Sequence, residues 1–361
     1  MKIYNFNPGP SVLPKEILLK LQKNFQNYKN NNFSILEISH RSKYFINYAE
    51  IVEKDLRDLL NIPQEYNILF SQGGARGQFS AIPLNLLKKY EKADYINSGF
   101  WSYASFLEAK KFCHPKVINI KYLNNKNYQS LKPMKDWKIH LDSKYIHYCP
   151  NETIEGISIF EEPIFSNKII IGDFSSTILS KKINIKKYGM IYASAQKNIG
   201  PAGLTIIIIR KDLVLKTKQK IPSILNYKIL SKTKSMFNTP PIFCWYVAGL
   251  MFKWLKKKGG ILKIEKKNIL KSKMLYEYID STEFYYNLVN IQNRSLMNIT
   301  FFLKINTLTI IFLKKAEKKG LYGLKGHFIH GGIRASIYNS MPKKGIISLI
   351  KFMKYFEKKF G

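Results

Sequence analysis

From residue 66 to residue 209 the chain repeats one pattern: a short unbroken apolar run, a turn, then a polar or helical stretch. The apolar runs are "YNILF", "ADYIN", "KVINI", "YIHYC", "KIIIGD", "GMIYAS" and "LTIIII". A strand with one face in water alternates apolar and polar residues, whereas these runs are apolar at successive positions. Both faces must therefore be covered, as in a sheet of mostly parallel strands with helices packed on each side. The expected fold class is α/β, with a large domain built on a mostly parallel sheet of seven strands.

The flanks read differently. Ile17, Leu18, Leu21 and Phe25 recur at helical spacing behind Pro14, and Val52, Leu56, Leu59 and Leu60 do so ahead of Pro63. Beyond residue 255 comes a Lys-rich amphipathic helix (260–279), then "LMNITFFL", a helix over 307–319, "GIRASIY" and a final helix over 343–360. That order is α+β. With 361 residues the chain is long enough for two cores. The expected organisation is an N-terminal arm (1–13), a large α/β domain (14–255) and a small C-terminal α+β domain (256–361), with "KKKGG" as the only linker-like stretch.

Lys and Arg number 59 against 24 Asp and Glu, a formal charge of +35. Such an excess suits a nucleic-acid or anionic-membrane binder. Here the basic residues are scattered over every expected surface, without zinc-finger spacing, an RNP-like strand or a basic tail. We read the excess as compositional drift that still attracts anionic substrates. Cys113, Cys149 and Cys244 form no pair with metal-like spacing and read as free thiols. No metal site is expected. No run approaches the ~18 apolar residues of a membrane span, and the first residues hold no signal-like segment. The expectation is a soluble cytoplasmic protein that binds neither nucleic acid nor membrane.

Chemistry gathers where strands end. Asp173 closes "KIIIGD", and ligands of open α/β sheets bind beyond such carboxyl ends. Lys197 follows the next strand, between "MIYAS" and a Gly-Pro-Ala-Gly turn, so desolvation should depress its pKa and make it nucleophilic toward an aldehyde. The plainer readings are a helix-capping aspartate and a snorkelling lysine. "SQGGARGQF" (71–79) turns from strand to helix with little side-chain bulk, which suits a phosphate, and Arg76 lies within it. Trp101 follows the strand ending near residue 99, as either a stacking wall or core. Asn151 and Thr153, and Asn238 and Thr239, sit in loops where simple capping is the alternative. His40 and Arg41 in "ISHRSK", and Arg334 in "GGIRASIYN", are candidates for carboxylate or phosphate recognition.

Together "NFNPGP", "ISHRSK", "GGARGQF", "CPNETIEG", "DFSSTILS", "AQKNIGPAGL", "SMFNTPP" and "GGIRASIYN" resemble, in order and over nearly the full length, the phosphoserine aminotransferase family. These are fold-type I, class V enzymes that use pyridoxal 5'-phosphate (PLP). The resemblance implies amino transfer between L-glutamate and 3-phosphohydroxypyruvate, and the 4-phosphohydroxy-L-threonine step of pyridoxine synthesis. It also implies roles. Lys197 would bear the cofactor and shuttle the substrate proton, Asp173 would pair with the ring nitrogen, Trp101 would stack on the ring, and Thr153 would bond its 3'-oxygen side. Ala75, Arg76 and Gln196 would hold the cofactor phosphate, with Asn238 and Thr239 reaching across from a second subunit. Arg334 would bind the substrate α-carboxylate. His40 and Arg41, with His327 of the second chain of a homodimer, would receive the distal anion. The sequence departs from the family at Phe328, where an arginine is usual, with His330 a candidate substitute, and at Pro8. Other class V chemistry, such as cysteine desulfuration, needs a cysteine in the C-terminal part, and none follows Cys244. A non-enzymatic basic binder has only the charge in its favour.

Overall fold

The structure is a computed structural model that describes residues 2–28, 32–88, 90–215 and 220–361. At its centre lie seven strands, in chain order β1 (Tyr66–Ser71), β2 (Lys92–Asn97), β3 (His114–Asn119), β4 (Ser143–Tyr148), β5 (Ile169–Asp173), β6 (Met190–Ser194) and β7 (Thr205–Arg210). Their spatial order is β1-β7-β6-β5-β4-β2-β3. Only β7 is reversed; every pair that excludes it is parallel. The expected mostly parallel seven-stranded α/β sheet is the one formed.

Burial on both faces explains the unbroken apolar runs. In β7, Ile206 and Ile208 enter one core while Ile207 and Ile209 enter the core on the other side, following the two-residue period of a strand. Each such side chain contributes about 1.5–3 kcal/mol by leaving water, and truncating one to alanine costs about 2–5 kcal/mol.

Helices cover the sheet: α1 (Lys15–Gln26), α2 (Lys43–Leu60), α3 (Gly74–Leu86), α4 (Phe100–Ala109) and α5 (Ile242–Lys257). The hydroxyl of Ser42 caps α2 by accepting from Phe45 N–H at 3.2 Å. Asn61 ends it in the left-handed conformation at φ 50°, two residues before Pro63. All four residues of the expected stripe on α2 are buried. On α1 the expected stripe is half right. Ile17 and Leu21 are buried, but Leu18 and Phe25 are 49% and 43% exposed. The buried face continues instead to Asn24, whose Nδ2 donates to Tyr246 Oη at 2.9 Å. Positions 17, 21 and 24 share one face, and a hydrogen-bonded asparagine holds the place expected for an apolar residue.

The C-terminal part has its own core. Strands β8 (Tyr285–Tyr286), β9 (Asn298–Leu303) and β10 (Ile333–Ser336) form an antiparallel sheet. Helices α6 (Gly260–Asp280), α7 (Thr309–Lys318) and α8 (Lys343–Phe360) accompany it. Phe301, Phe312, Phe352 and Phe356 lie in this second core, and α6 serves both, with Ile264 in the first and Leu275 in the second. "KKKGG" forms the tight corner between α5 and α6, where Gly259 and Gly260 take φ of 93° and 72° that a side chain would strain. Tyr4–Asn5 pairs in parallel with Leu321–Tyr322, and Phe6 is buried in the second core.

Candidate active site

Five strands bring their carboxyl ends to one edge of the sheet. β1 runs into the glycine turn, β2 into Trp101, β4 into Cys149–Thr153, β5 into Asp173 and β6 into the turn that carries Lys197. Ala75, Trp101, Thr153, Asp173, Gln196 and Lys197 line one cavity there, with Cys149, Asn151, Ser175, Ser176 and Ser194 between them. β5 and β6 are parallel neighbours, with Asp173 opposite Tyr192. The strand-end argument for a shared cleft therefore holds.

Lys197 is half-buried and its Nζ donates to Thr153 Oγ1 at 2.7 Å. Burial pushes its pKa down to about 8; the nearby Asp173 and Glu152 oppose this and Arg334 adds to it. Its backbone is fixed from the N-terminal arm. Ser11 N–H donates to Gln196 O at 2.9 Å, and the Ser11 hydroxyl donates to Lys197 O. Asp173 accepts from Ser175 N–H at 2.9 Å. Burial raises its pKa above the ordinary carboxylate value, against hydrogen bonding from Ser175, the charge of Lys197 and the Tyr192 hydroxyl. A carboxylate in this position is stabilised by a cationic partner.

At the glycine turn, Gly73 and Gly74 have φ of 87° and 63°, and α3 starts at once. Ala75 N–H donates to Ser194 Oγ at 2.6 Å. The exposed Arg76 guanidinium sits 5.3 Å from the Trp101 ring centre, a cation–π arrangement. Trp101 is half-buried, and its indole Nε1 is buried without a partner. Arg334, on β10 opposite Thr300, is buried; its Nη1 donates to Thr153 O at 3.4 Å, and its Nε has no partner. Thr153 thus touches both Lys197 and Arg334.

The remaining predicted residues do not line this cavity. His327 packs on Phe100 of its own chain, ring centres 5.6 Å apart, and burial with the charge of Arg334 lowers its pKa. His40 is half-buried and Arg41 exposed. Asn238 and Thr239 are exposed, yet Thr239 O accepts from Gln72 Nε2 at 3.2 Å, which sets them beside the glycine turn.

The class-V aminotransferase family profile matches residues 3–349. The chain is 66% identical to the phosphoserine aminotransferase of Buchnera aphidicola subsp. Cinara cedri (strain Cc) over 361 residues, covering 100% of this chain and 99% of the relative. The chain belongs to the phosphoserine aminotransferase family.

Solved structures of that family superpose closely. The phosphoserine aminotransferase from Bacillus circulans subsp. alkalophilus gives a TM-score of 0.96 at 38% identity, covering 100% of this chain and 99% of that one. PLP-bound phosphoserine aminotransferase from Trichomonas vaginalis gives 0.91 at 37% identity, covering 98% and 100%. The fold is thus that of a class V aminotransferase, with the seven-stranded sheet expected for it.

Sequence reasoning on this family member missed two carboxylates. Glu152 is buried and Glu155 largely so, both behind Trp101. Their signal was two acids within four residues of "NETIEG" in a chain poor in acids. The family's usual arginine position is filled by Phe328, which is 86% exposed. His330 lies half-buried against Phe302, its Nε2 without a partner.

A cavity of about 650 Å³ lies elsewhere, between the N-terminal arm, α6 and the Asn339–Lys343 loop. Its buried cation, Lys271, already donates to Ile337 O, Tyr338 O and Met341 O. The smaller strand-end cavity, where groups of opposite charge with shifted pKa values converge, is the better candidate for chemistry.

Proposed function

We propose that this chain transfers an amino group between L-glutamate and 3-phosphohydroxypyruvate, giving 3-phospho-L-serine and 2-oxoglutarate, with PLP held at the strand ends. The phosphorylated four-carbon oxo acid of pyridoxine synthesis is its second acceptor. The observation that carries the reading is Asp173 and Lys197 at adjacent strand ends in one cavity.

The residues present fit the cofactor. A buried carboxylate that favours a cationic partner, a lysine with a lowered pKa and a tryptophan with an unpartnered Nε1 line one cavity. When bound, PLP supplies an aldehyde for the amino group and a ring that stabilises negative charge at the substrate Cα. Asp173 would hold the ring nitrogen, Trp101 and Thr153 the ring, and Ala75, Arg76 and Gln196 the phosphate. Asn238 and Thr239, exposed in one chain, would complete the phosphate site of a second copy in a homodimer.

The chain's own groups then do the following. With its pKa lowered to about 8, Lys197 is neutral far more often at physiological pH than an ordinary lysine, so its Nζ can accept the proton from the substrate Cα and return it. Thr153 orients that amine through the 2.7 Å bond. Arg334 offers unsatisfied donors to the substrate α-carboxylate, whose planar fork matches the guanidinium. His40 and Arg41, with His327 of the second chain of a homodimer, would receive the distal anion. The +35 charge favours the approach of doubly anionic substrates from the cytoplasm.

The test is transamination from L-glutamate with each oxo acid in turn, following 2-oxoglutarate. Turnover with 3-phosphohydroxypyruvate is expected; none with either acid contradicts the reading.

A further inference from the structure

The reaction as derived uses neither Glu152 nor Glu155, yet both are placed with care. They flank Thr153 in the turn after β4 and meet the first turn of α4. Phe100 N–H donates to Glu155 Oε1 at 2.8 Å, Trp101 N–H to Glu152 Oε2 at 2.9 Å and Ser102 N–H to Glu152 Oε1 at 2.8 Å. The first N–H groups of a helix have no partner inside it, and a local cap side chain ordinarily takes one of them. Here three in succession are taken by two carboxylates about fifty residues away in sequence.

Gly99, at the helix start, makes the approach possible. A Cβ there would lie 2.6 Å from Glu152 Cγ and 2.9 Å from Glu155 Cδ. The arrangement is unfavourable in itself. Burial raises the pKa of both acids, Glu155 to about 7, with the charge of Glu152 adding to the rise at Glu155. A serine at position 99 would cap α4 at far smaller desolvation cost. What the remote pair adds is registration. It ties the backbone of Trp101, whose indole Nε1 has no anchor, to the turn that carries Thr153.

We propose that Glu152 and Glu155 are positioning residues that fix the Trp101 ring relative to Thr153 and so set how tightly the site holds its cofactor. The proposal rests on the PLP reading above. Glu152→Gln replaces one accepting oxygen with an amide that opposes an N–H, and it removes the charge. Glu155→Gln disturbs a single bond.

The experiment measures PLP dissociation constants and the visible circular dichroism of bound PLP. It uses the wild-type chain, Glu152→Gln, Glu155→Gln, Trp101→Ala and the Glu152→Gln/Trp101→Ala double variant, with far-ultraviolet dichroism as the folding control. Glu152→Gln should weaken PLP binding about tenfold and Glu155→Gln about threefold, in line with the loss of charge-assisted bonds. Both should diminish the visible dichroism. In the Trp101→Ala background, Glu152→Gln should add less than twofold, because its effect runs through that ring. Unchanged affinity and dichroism in the glutamine variants, or effects of Glu152→Gln and Trp101→Ala that multiply, overturn the proposal. If Glu152→Gln does not fold, Glu155→Gln decides by the same readouts. A wild-type chain that takes up no PLP overturns the cofactor reading and this proposal together. Uptake that ignores the variants overturns the positioning role alone.

Discussion

Two regions of the molecule draw a lysine and an arginine wholly or partly out of water, and they use them in opposite ways. In the second core, Lys271 is 3% exposed and donates to Ile337 O, Tyr338 O and Met341 O. Nearby, Arg294 makes a two-pronged pair with Asp280 and a third bond to Val289 O. At the strand ends, Lys197 makes one side-chain bond, to Thr153, and Arg334 makes one to a carbonyl while its Nε goes without. Burial lowers the pKa of Lys271 further, to about 7, than that of Lys197, to about 8. A depressed pKa therefore does not mark the reactive lysine. The unspent donors and the facing carboxylate do.

The sharpest way to break this comparison is to remove each lysine in turn. Lys197→Ala should lower transamination by about 10⁴-fold with the fold intact. Lys271→Met should leave the chemistry of the folded enzyme nearly unchanged but lower stability by about 2–4 kcal/mol, because three buried carbonyls lose their donor. Steady-state kinetics and urea unfolding separate the two. A catalytic collapse in Lys271→Met would erase the distinction.

The arginines offer the next test. Arg334→Lys should raise the KM for L-glutamate about 10–100-fold, since an ammonium cannot reproduce the fork. Arg294→Lys should leave KM alone and cost about 1 kcal/mol of stability.

Linkage to pH treats the two lysines alike, which sharpens the contrast. Both have folded pKa values below the ordinary lysine value, so between about pH 8 and 9.5 each is more protonated in the unfolded chain than in the folded one. Each lysine therefore contributes a rise of about 1–2 kcal/mol to the stability of the cofactor-free chain across that window, opposed there by the thiols of Cys113, Cys149 and Cys244, whose pKa values burial raises. Glu155, raised to about 7, acts in the opposite sense only below the window. Tyrosines such as Tyr145, whose pKa burial raises, act so only above it. Urea unfolding of the wild type and of each Lys→Met variant at the two pH values checks this, and each substitution should remove about 1–2 kcal/mol of pH-dependent stabilisation. The smallest effect is expected at the rim. Phe328→Arg should lower the KM for the phosphorylated oxo acid about threefold, the scale of an exposed ion pair.

Much of this was legible in the chain. Unbroken apolar runs announced the sheet, and the ends of those runs located Asp173, Lys197, Thr153 and Trp101. What escaped depended on helical phase or on a third dimension. Lys271 falls in step with Ile264, Asn268, Leu275 and Ile279 on the buried face of α6, a phase that the abundance of lysine in that helix concealed. Asn24 took a place on α1 by hydrogen bonding, which no apolar pattern reports. Glu152 and Glu155 acquire a role only once α4 is set against their turn. Asn238, Thr239, His40, Arg41 and His327 stand outside the strand-end cavity of a single chain, and the proposed roles of Asn238, Thr239 and His327 rest on a second copy.

The most direct test of the central claim is reduction of the PLP-loaded protein with borohydride, followed by proteolysis and mass mapping of the labelled peptide. The pyridoxyl group should be found on Lys197 alone. A label on Lys271 or on any surface lysine, with Lys197 unmodified, would contradict the account.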